Sequence, residues 1–382
     1  MHPLQLPLEY PILFNPLNSL FVHHFALFMK VGILTGGGDC PGLNAVLRAV
    51  CKSLILQHKA EIIGFEDGFE GMIEQRTIPL TLRAVAGIQD EGGTILGTSN
   101  KANPFKYFRR NNTDVSDEVL NYYHSLGLDA LVVLGGDGSM TIAEGLYRKG
   151  IQILGIPKTI DNDLMGTDQT FGFDTAVSIA TEALDRIHTT AQSHHRVLIV
   201  ELMGRYAGWI TLYAGVASGS DIILIPEIPY NIESIVARCR ERERDGRRFT
   251  VIAVAEGALE QEKGLIIRET IADSPDPIRL GGVANYLAVR LKDGIESEIR
   301  TTILGHIQRG GTPTPADRVL STVFGTYAAE LVAKKQFGVM VALQNNDFTT
   351  IPLDQVAHKT RTVPLNHPVL RAAQAIGTSF GV

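Results

Sequence analysis

Cysteine is scarce in this chain. Only Cys40, Cys51 and Cys239 occur among 382 residues, and no two form a CxxC pair. An odd, scattered set excludes a disulfide scaffold and a cysteine-based zinc site, and it fits a reducing, cytoplasmic compartment. Basic residues are not in excess either: 35 Lys and Arg face 41 Asp and Glu, a net charge of -6. That balance excludes a protein that coats nucleic acid or an anionic membrane. A polyanionic ligand would have to be met by locally gathered Arg and Lys. Residues 1–28 lack Lys and Arg altogether and carry one acid, Glu9, and four prolines. A basic start and a small-residue cleavage site are both missing, so this is no secretory signal. The apolar stretch 17–28 is too short to span a bilayer and is interrupted by Asn18, His23 and His24. Met29 opens the first strand-like run. We expect Met29 to be the true start and 1–28 to be a leader outside the fold; a tether or partner-binding arm is the alternative.

Glycine, by contrast, is plentiful, with 38 residues, many in runs beside strand-like segments. Hydrophobic residues make up 45% and charged residues 20%, which excludes disordered, collagen-like and coiled-coil classes. The length suits two or three domains with a sizeable core. Apolar runs at 31–35, 62–65, 130–134, 153–156, 197–202, 222–225, 251–255, 301–304 and 339–343 are rich in Val, Ile and Leu with little polar alternation. Such runs predict strands buried on both faces. Helical spacing appears over 44–56, 116–126 (with Ser116 as N-cap), 176–190, 232–245 and 315–334. The alternation predicts an α/β protein with mainly parallel sheets covered by helices. The charge-rich run 238–248 reads most simply as a solvated helix face, with an anion-binding effector patch as the sharper alternative.

In open parallel sheets, ligands bind outside the carboxyl ends of the strands, and four groups of residues near strand ends are unusual here. The first is Gly36-Gly37-Gly38-Asp39-Cys40-Pro41-Gly42. Its glycines let backbone N–H groups approach a phosphate at a helix start, although a tight-packing turn explains them too. It is neither a Walker A loop nor GxGxxG. The second is Gly135-Gly136-Asp137-Gly138-Ser139, where a carboxylate after two glycines suits Mg²⁺ beside phosphates, or an N-cap. The third is Pro157-Lys158-Thr159-Ile160-Asp161-Asn162-Asp163. Two carboxylates two residues apart can divide proton acceptance and metal organisation, unless they are a structural Asx-turn pair. The fourth is a cationic set: Arg196, Met203-Gly204-Arg205, Arg300, and Gly305-His306-Ile307-Gln308-Arg309. Four Arg at ends of strand-like runs predict an anion site, with Glu256 as an acceptor for sugar hydroxyls. Together these residues predict a Mg²⁺-assisted phosphoryl transfer to a substrate carrying both a hydroxyl and a phosphate.

These five motifs, in this order, resemble the 6-phosphofructokinases from residue 29 to about 334. The resemblance implies two Rossmann-like domains with the active site in the cleft between them: 29–172 plus 308–358 for the nucleotide, and 173–307 plus 359–382 for the sugar phosphate. It implies that Gly37, Asn100, Lys101, Gly136, Asp137, Gly138 and Ser139 bind the nucleotide, with Asp137 and Asp163 on Mg²⁺. Asp161 would be the general base on the sugar 1-hydroxyl, with Thr159 beside it, and Arg205 would stabilise the moving phosphoryl group. Met203, Gly204, Glu256, His306 and Arg309 would hold fructose 6-phosphate. Arg196 and Arg300 would reach in from a neighbouring subunit of a homodimer or homotetramer.

Donor choice rests on two positions. Pyrophosphate-dependent relatives typically carry Asp where Gly138 stands, whereas Lys158 matches their pattern. An absent Asp cannot exclude ATP, so the expectation is an ATP-dependent member of the mixed-substrate group, with pyrophosphate as the alternative. Arg48, Lys52, Asp221, Arg247 and Arg248 are compatible with an effector site, but His188 stands where a further Arg would help; weak allostery is expected. Another GGDG-bearing kinase would lack the 157–163 and 305–311 motifs. A silent regulatory subunit would not keep Asp137, Asp161 and Arg205.

Overall fold

Strands of Val, Ile and Leu without polar alternation need cover on both faces. The computed structural model provides it, describing residues 29–263, 267–270, 278–280 and 282–382. The expected separateness of 1–28 lies outside the described residues. The strands are β1 (Lys30–Thr35), β2 (Glu61–Phe65), β3 (Thr77–Pro79), β4 (Ala130–Gly135), β5 (Ile153–Pro157), β6 (Val197–Leu202), β7 (Ile222–Leu224), β8 (Thr250–Ala255), β9 (Ile267–Thr270), β10 (Ile278–Leu280), β11 (Ile299–Ile303), β12 (Val339–Gln344) and β13 (Asp347–Pro352). The helices are α1 (Leu43–His58), α2 (Phe69–Ile73), α3 (Ser116–Ser125), α4 (Asp137–Arg148), α5 (Phe173–His194), α6 (Trp209–Ala217), α7 (Ile232–Arg244), α8 (Val283–Leu291), α9 (Pro315–Ala333), α10 (Leu353–Val356) and α11 (Pro368–Ala375).

Two sheets carry the fold. The larger runs β13-β12-β5-β4-β1-β2-β3 and is parallel except at its edges, where β13 and β3 are antiparallel. The smaller runs β11-β6-β8-β7 and is parallel throughout. The predicted parallel α/β architecture is therefore present. The edge strands β3 and β13 and the β9–β10 hairpin went unpredicted, because short edge strands lack the apolar run that buried ones need.

Register decides what the sheets deliver. Thr35 pairs with Leu134 and Gly135 with Pro157, so β1, β4 and β5 end level. The ladder continues one step further, through Gly36 N–H to the Leu134 carbonyl (2.8 Å) and Lys158 N–H to the Gly135 carbonyl (2.9 Å). In the smaller sheet Leu202 pairs with Ala255 and Glu201 with Ile303, so Met203, Glu256 and Leu304 emerge side by side. The chain passes from the larger sheet to the smaller through α5, and returns through α9 to β12. It then goes back once more, so that Ser379 accepts from Ile223 N–H at 2.9 Å beside β7.

Local chemistry sets the helix starts. Thr314 caps α9 by accepting from Asp317 N–H at 3.2 Å, with Pro315 in the first turn, where its missing N–H costs nothing. Ser116 is not the N-cap of α3: it is the first helical residue, and Asp114 Oδ1 accepts its N–H at 2.9 Å. Aspartate at that offset satisfies the orphan amide as a serine cap would.

Helices α1 and α9 cross closely at Gly325. A Cβ there would lie 2.7 Å from Ala49 Cβ and 2.8 Å from the Val46 carbonyl oxygen. Gly325→Val should therefore overpack this crossing and cost about 1–3 kcal/mol. The check is a lower unfolding midpoint in a denaturant titration.

Candidate active site

The level strand ends of the larger sheet border one cavity of about 520 Å³. Gly37 and Gly38 arrive from β1, Gly136, Asp137, Gly138 and Ser139 from β4 and α4, and Lys158, Thr159, Asp161 and Asp163 from β5. Asn100 and Lys101 close one wall and Arg309 another. The nucleotide, base and metal residues singled out from the sequence thus share one space.

The glycines allow close approach. A Cβ at Gly36 would sit 2.7 Å from Ser139 Oγ, and one at Gly38 would sit 2.5 Å from Arg309 Nη1. Gly37 lies at φ +77, a left-handed conformation that glycine adopts without strain. Beneath this loop Lys158 is buried at 4% exposure, and its ammonium donates to the Gly38 carbonyl. Burial depresses its pKa, while Asp39 and Asp163 pull it back. Gly138 differs from the others: a Cβ there would meet nothing within 4 Å.

The carboxylates sit on a pinned turn. Asp161 N–H donates to Thr159 Oγ1 at 3.1 Å. Asn162 takes a left-handed φ of +51 and accepts from Thr170 N–H at 3.1 Å. Arg361 holds the turn from outside, through its N–H to the Asp163 carbonyl (2.7 Å) and its Nη1 to the Asn162 carbonyl (3.1 Å). Burial first, and then Asp163, push the Asp161 carboxyl up to about 7. Burial also raises Asp163, with Asp137 adding to the rise, and raises Asp137 itself. Asp137 Oδ1 and Asp161 Oδ1 are buried without a hydrogen-bond partner. A structural Asx-turn would leave no such orphan at Asp161, whereas Asp163 does accept hydrogen bonds, from Thr159 and its own backbone. No group of three or more His, Cys, Asp or Glu able to hold a metal occurs among the described residues. Mg²⁺ needs only one or two carboxylates beside phosphate oxygens. Asp137, with its orphaned oxygen, and nearby Asp163 fit that requirement.

The smaller sheet supplies the other side. Met203 N–H donates to buried Gln308 Oε1 at 3.3 Å, and Gly257 N–H to the Gly204 carbonyl at 3.1 Å. Arg205 packs over the Tyr206 ring at 5.7 Å, and its charge favours the ionised forms of both Asp161 and Glu256. Burial raises Glu256, against Arg205, Arg309 and His306. Arg309 Nη1 donates to the Asp39 carbonyl at 3.2 Å and so bridges the two sides. Arg205 also lines a second cavity of about 560 Å³ with Glu227, Val363 and Leu365.

The four arginines do not gather. Arg205 and Arg309 lie at carboxyl strand ends, but Arg196 precedes β6 and Arg300 pairs with Leu198 near its start. At ~3.3 Å rise per residue, Arg196 lies about 20 Å and Arg300 about 10–13 Å from the carboxyl edge. Arg196 and Arg300 are instead joined to each other by Glu298. The four arginines expected at one anion site thus form two pairs, toward opposite ends of the smaller sheet; the resemblance had already set Arg196 and Arg300 apart as a neighbour's. The run 238–248 is largely the solvated face expected, with Arg240, Glu241, Arg244, Arg247 and Arg248 exposed; Arg242 is the exception, buried and ion-paired to Asp221 at 2.8 Å. Asp221 accepts from Val251 N–H as well (2.9 Å), and the His188 ring stands edge-on to Phe249 at 4.9 Å.

Phe69, Thr141, Ile142 and His358 also line the first cavity and were missed. Thr141 lies one helical turn beyond Asp137, so its periodicity could have revealed it. Phe69 and His358 carry no sequence signal; the tertiary fold brings them in.

Gly257 buttresses Arg205: a Cβ there would fall 1.8 Å from the Arg205 carbonyl oxygen. Gly257→Ala must displace the 203–208 turn, and tryptic cleavage after Arg205 should become faster. Unchanged cleavage would show that the turn tolerates the methyl.

A family described as phosphofructokinase matches residues 30–332. The ATP-dependent 6-phosphofructokinase 2 of Clostridium perfringens is 50% identical over 358 residues, covering 92% of this chain and 98% of that one. The pyrophosphate--fructose 6-phosphate 1-phosphotransferase of Streptomyces coelicolor is 44% identical over 354 residues, covering 92% and 100%. Among solved structures, the phosphofructokinase of Saccharomyces cerevisiae superposes with a TM-score of 0.73 at 31% identity, covering 86% of this chain. This chain spans only 45% of that larger one.

Proposed function

The chain belongs to the phosphofructokinase family, and from that premise we propose that it transfers the γ-phosphoryl group of ATP to the 1-hydroxyl of D-fructose 6-phosphate, giving fructose 1,6-bisphosphate. The observation that carries this reading is the facing of two strand exits across one cavity: Asp161, with its unpaired buried oxygen, opposite the open glycine turn of Gly136–Ser139.

Asp161 accepts the proton of the sugar 1-hydroxyl. Burial raises its proton affinity toward neutrality, where a general base works best. Thr159 fixes the turn that presents it. Backbone amides of the Gly37 loop and of Gly136–Ser139, with Asn100 and Lys101, cradle the phosphates, and Lys158 holds the glycine loop from below. Arg205, held between Asp161 and Glu256, stabilises the charge on the moving phosphoryl group. Met203, Gly204, Glu256, His306 and Arg309 hold the sugar phosphate. Mg²⁺, held by Asp137 and Asp163, would neutralise phosphate charge that these carboxylates otherwise repel. Asp161→Asn should lower kcat by about 10²–10⁴ while leaving the fold intact. Steady-state assays with ATP, Mg²⁺ and fructose 6-phosphate check this; full-speed turnover would remove Asp161 from the chemistry.

Donor choice follows from Gly138. The open space there leaves room for the rest of a nucleotide, and an Asp side chain would fill it with negative charge. Gly138→Asp should fold normally yet raise KM for ATP at least tenfold, read beside pyrophosphate turnover in the same variant. A pyrophosphate donor is the second reading, favoured by buried Lys158 beneath the phosphate loop; turnover with pyrophosphate alone would establish it.

Arg196 and Arg300 lie too far from their own cavity to serve it, which supports a homodimer or homotetramer in which they complete a neighbour's sugar-phosphate site. Mixing the inactive variants Asp161→Asn and Arg196→Ala should then restore partial activity, because some sites keep both wild-type residues. No recovery after subunit exchange would place Arg196 outside the site. The domain division follows the sheets, with 29–172 plus 308–358 around the larger and 173–307 plus 359–382 around the smaller. All three cysteines are free and buried, and among the described residues no helix is long and apolar enough to cross a membrane; both support a cytoplasmic location. Asp221, already engaged by Arg242, supports weak effector control.

A further inference from the structure

His358 is the one residue lining the first cavity that is not glycine and yet has a left-handed backbone, with φ +62. A β-carbon in that region costs energy and persists only where the surroundings impose it; such strain collects at working sites. The surroundings here are specific. His358 follows α10, and its N–H donates to Thr141 Oγ1 at 3.2 Å, one turn along α4 from Asp137. The amides of His358 and Lys359 approach the Asp137 carboxylate. The next residues are tied to the base turn, through the bridge of Thr360 with Leu164 and the Arg361 N–H to the Asp163 carbonyl. The backbone of this turn is thus fully employed. The imidazole favours the ionised form of Asp137 by its charge, but it is exposed on the cavity and has no hydrogen-bond partner among the described residues.

Position along the cavity says what it would meet. Asp161, Asp163 and Arg309 mark the end where the phosphoryl group moves. Thr141, Ile142 and Lys101 mark the other end, beyond Gly138, and His358 stands with Thr141. On the nucleotide reading, a side chain beside Thr141 lies on the donor's side of the cavity. It faces whatever part of the donor stays behind.

We propose that His358 is a nucleotide-binding residue, its imidazole donating a hydrogen bond to the non-transferred part of the nucleoside triphosphate. This rests on the nucleotide reading of the cavity given above. The left-handed backbone is then the cost of aiming a donor at the nucleotide from a turn that must also serve Asp137 and Asp163.

The test uses His358→Gly in the full chain, because glycine accepts the backbone without strain and removes only the imidazole. Unfolding temperature should rise, whereas KM for ATP and the Kd for ADP with Mg²⁺, by calorimetry, should both weaken about three- to tenfold, as loss of one hydrogen bond implies. KM for fructose 6-phosphate should stay as in the wild type. His358→Asn, which tolerates the same backbone and keeps a donor, should recover part of the affinity. Unchanged ADP affinity in the Gly variant overturns the proposal, as does a parallel weakening of both substrates with a lower unfolding temperature, which would mark a structural role. If the wild-type protein binds pyrophosphate but no ADP, the nucleotide reading itself falls, and this inference with it.

Discussion

Everything at this site depends on the level termination of neighbouring parallel strands. β1, β4 and β5 end in register, and the ladder hydrogen bonds carry one residue past each end before the chain breaks away. The glycine loop, Asp137 and the Asp161–Asp163 turn are therefore placed by the backbone pairing of buried strands. Their side chains can then be left under-satisfied, with orphaned oxygens on Asp137 and Asp161, without the turns collapsing to satisfy them. The unmet hydrogen-bonding capacity of these carboxylates is the cavity's chemical potential for a ligand.

The charge arrangement follows the same logic. Burial raises the proton affinity of Asp161, Asp163 and Asp137 alike, Asp137 adds to the rise at Asp163, and Asp163 adds to the rise at Asp161. Arg205 and Arg309 answer at one end, and the amides of the His358 turn at the other. Lys158 is spent differently: its ammonium lies under the Gly37–Gly38 loop, so its stabilising effect is felt through backbone order as well as through charge.

Much of this was legible before any coordinates. Strand runs bounded by Gly or Pro located the sheets, because strands buried on both faces have no other way to be written. The motifs around Asp137 and Asp161 pointed to the cavity, because a carboxylate straight after a buried strand has few structural excuses. Edge strands β3 and β13 were invisible for the opposite reason: half-exposed, they carry no continuous apolar signature. The resemblance set Arg196 and Arg300 apart from Arg205 and Arg309, and the sequence holds a physical reason for it. Arg196 precedes its strand, and in a parallel sheet that alone assigns it to the amino end. His358 and Phe69 could not be found from sequence, since turns far along the chain set their place. The Ser116 cap failed because Asp114 offers the same oxygen from two residues earlier.

Glu298 has a further consequence. Two guanidinium groups side by side on neighbouring strands repel each other, and their long stems would otherwise sample many rotamers. One carboxylate touching both neutralises that repulsion and freezes the fork while it is empty. An incoming dianion would meet donors already aligned, but it would have to compete with a resident anion for them. Such a clasp trades strength of capture for speed of release.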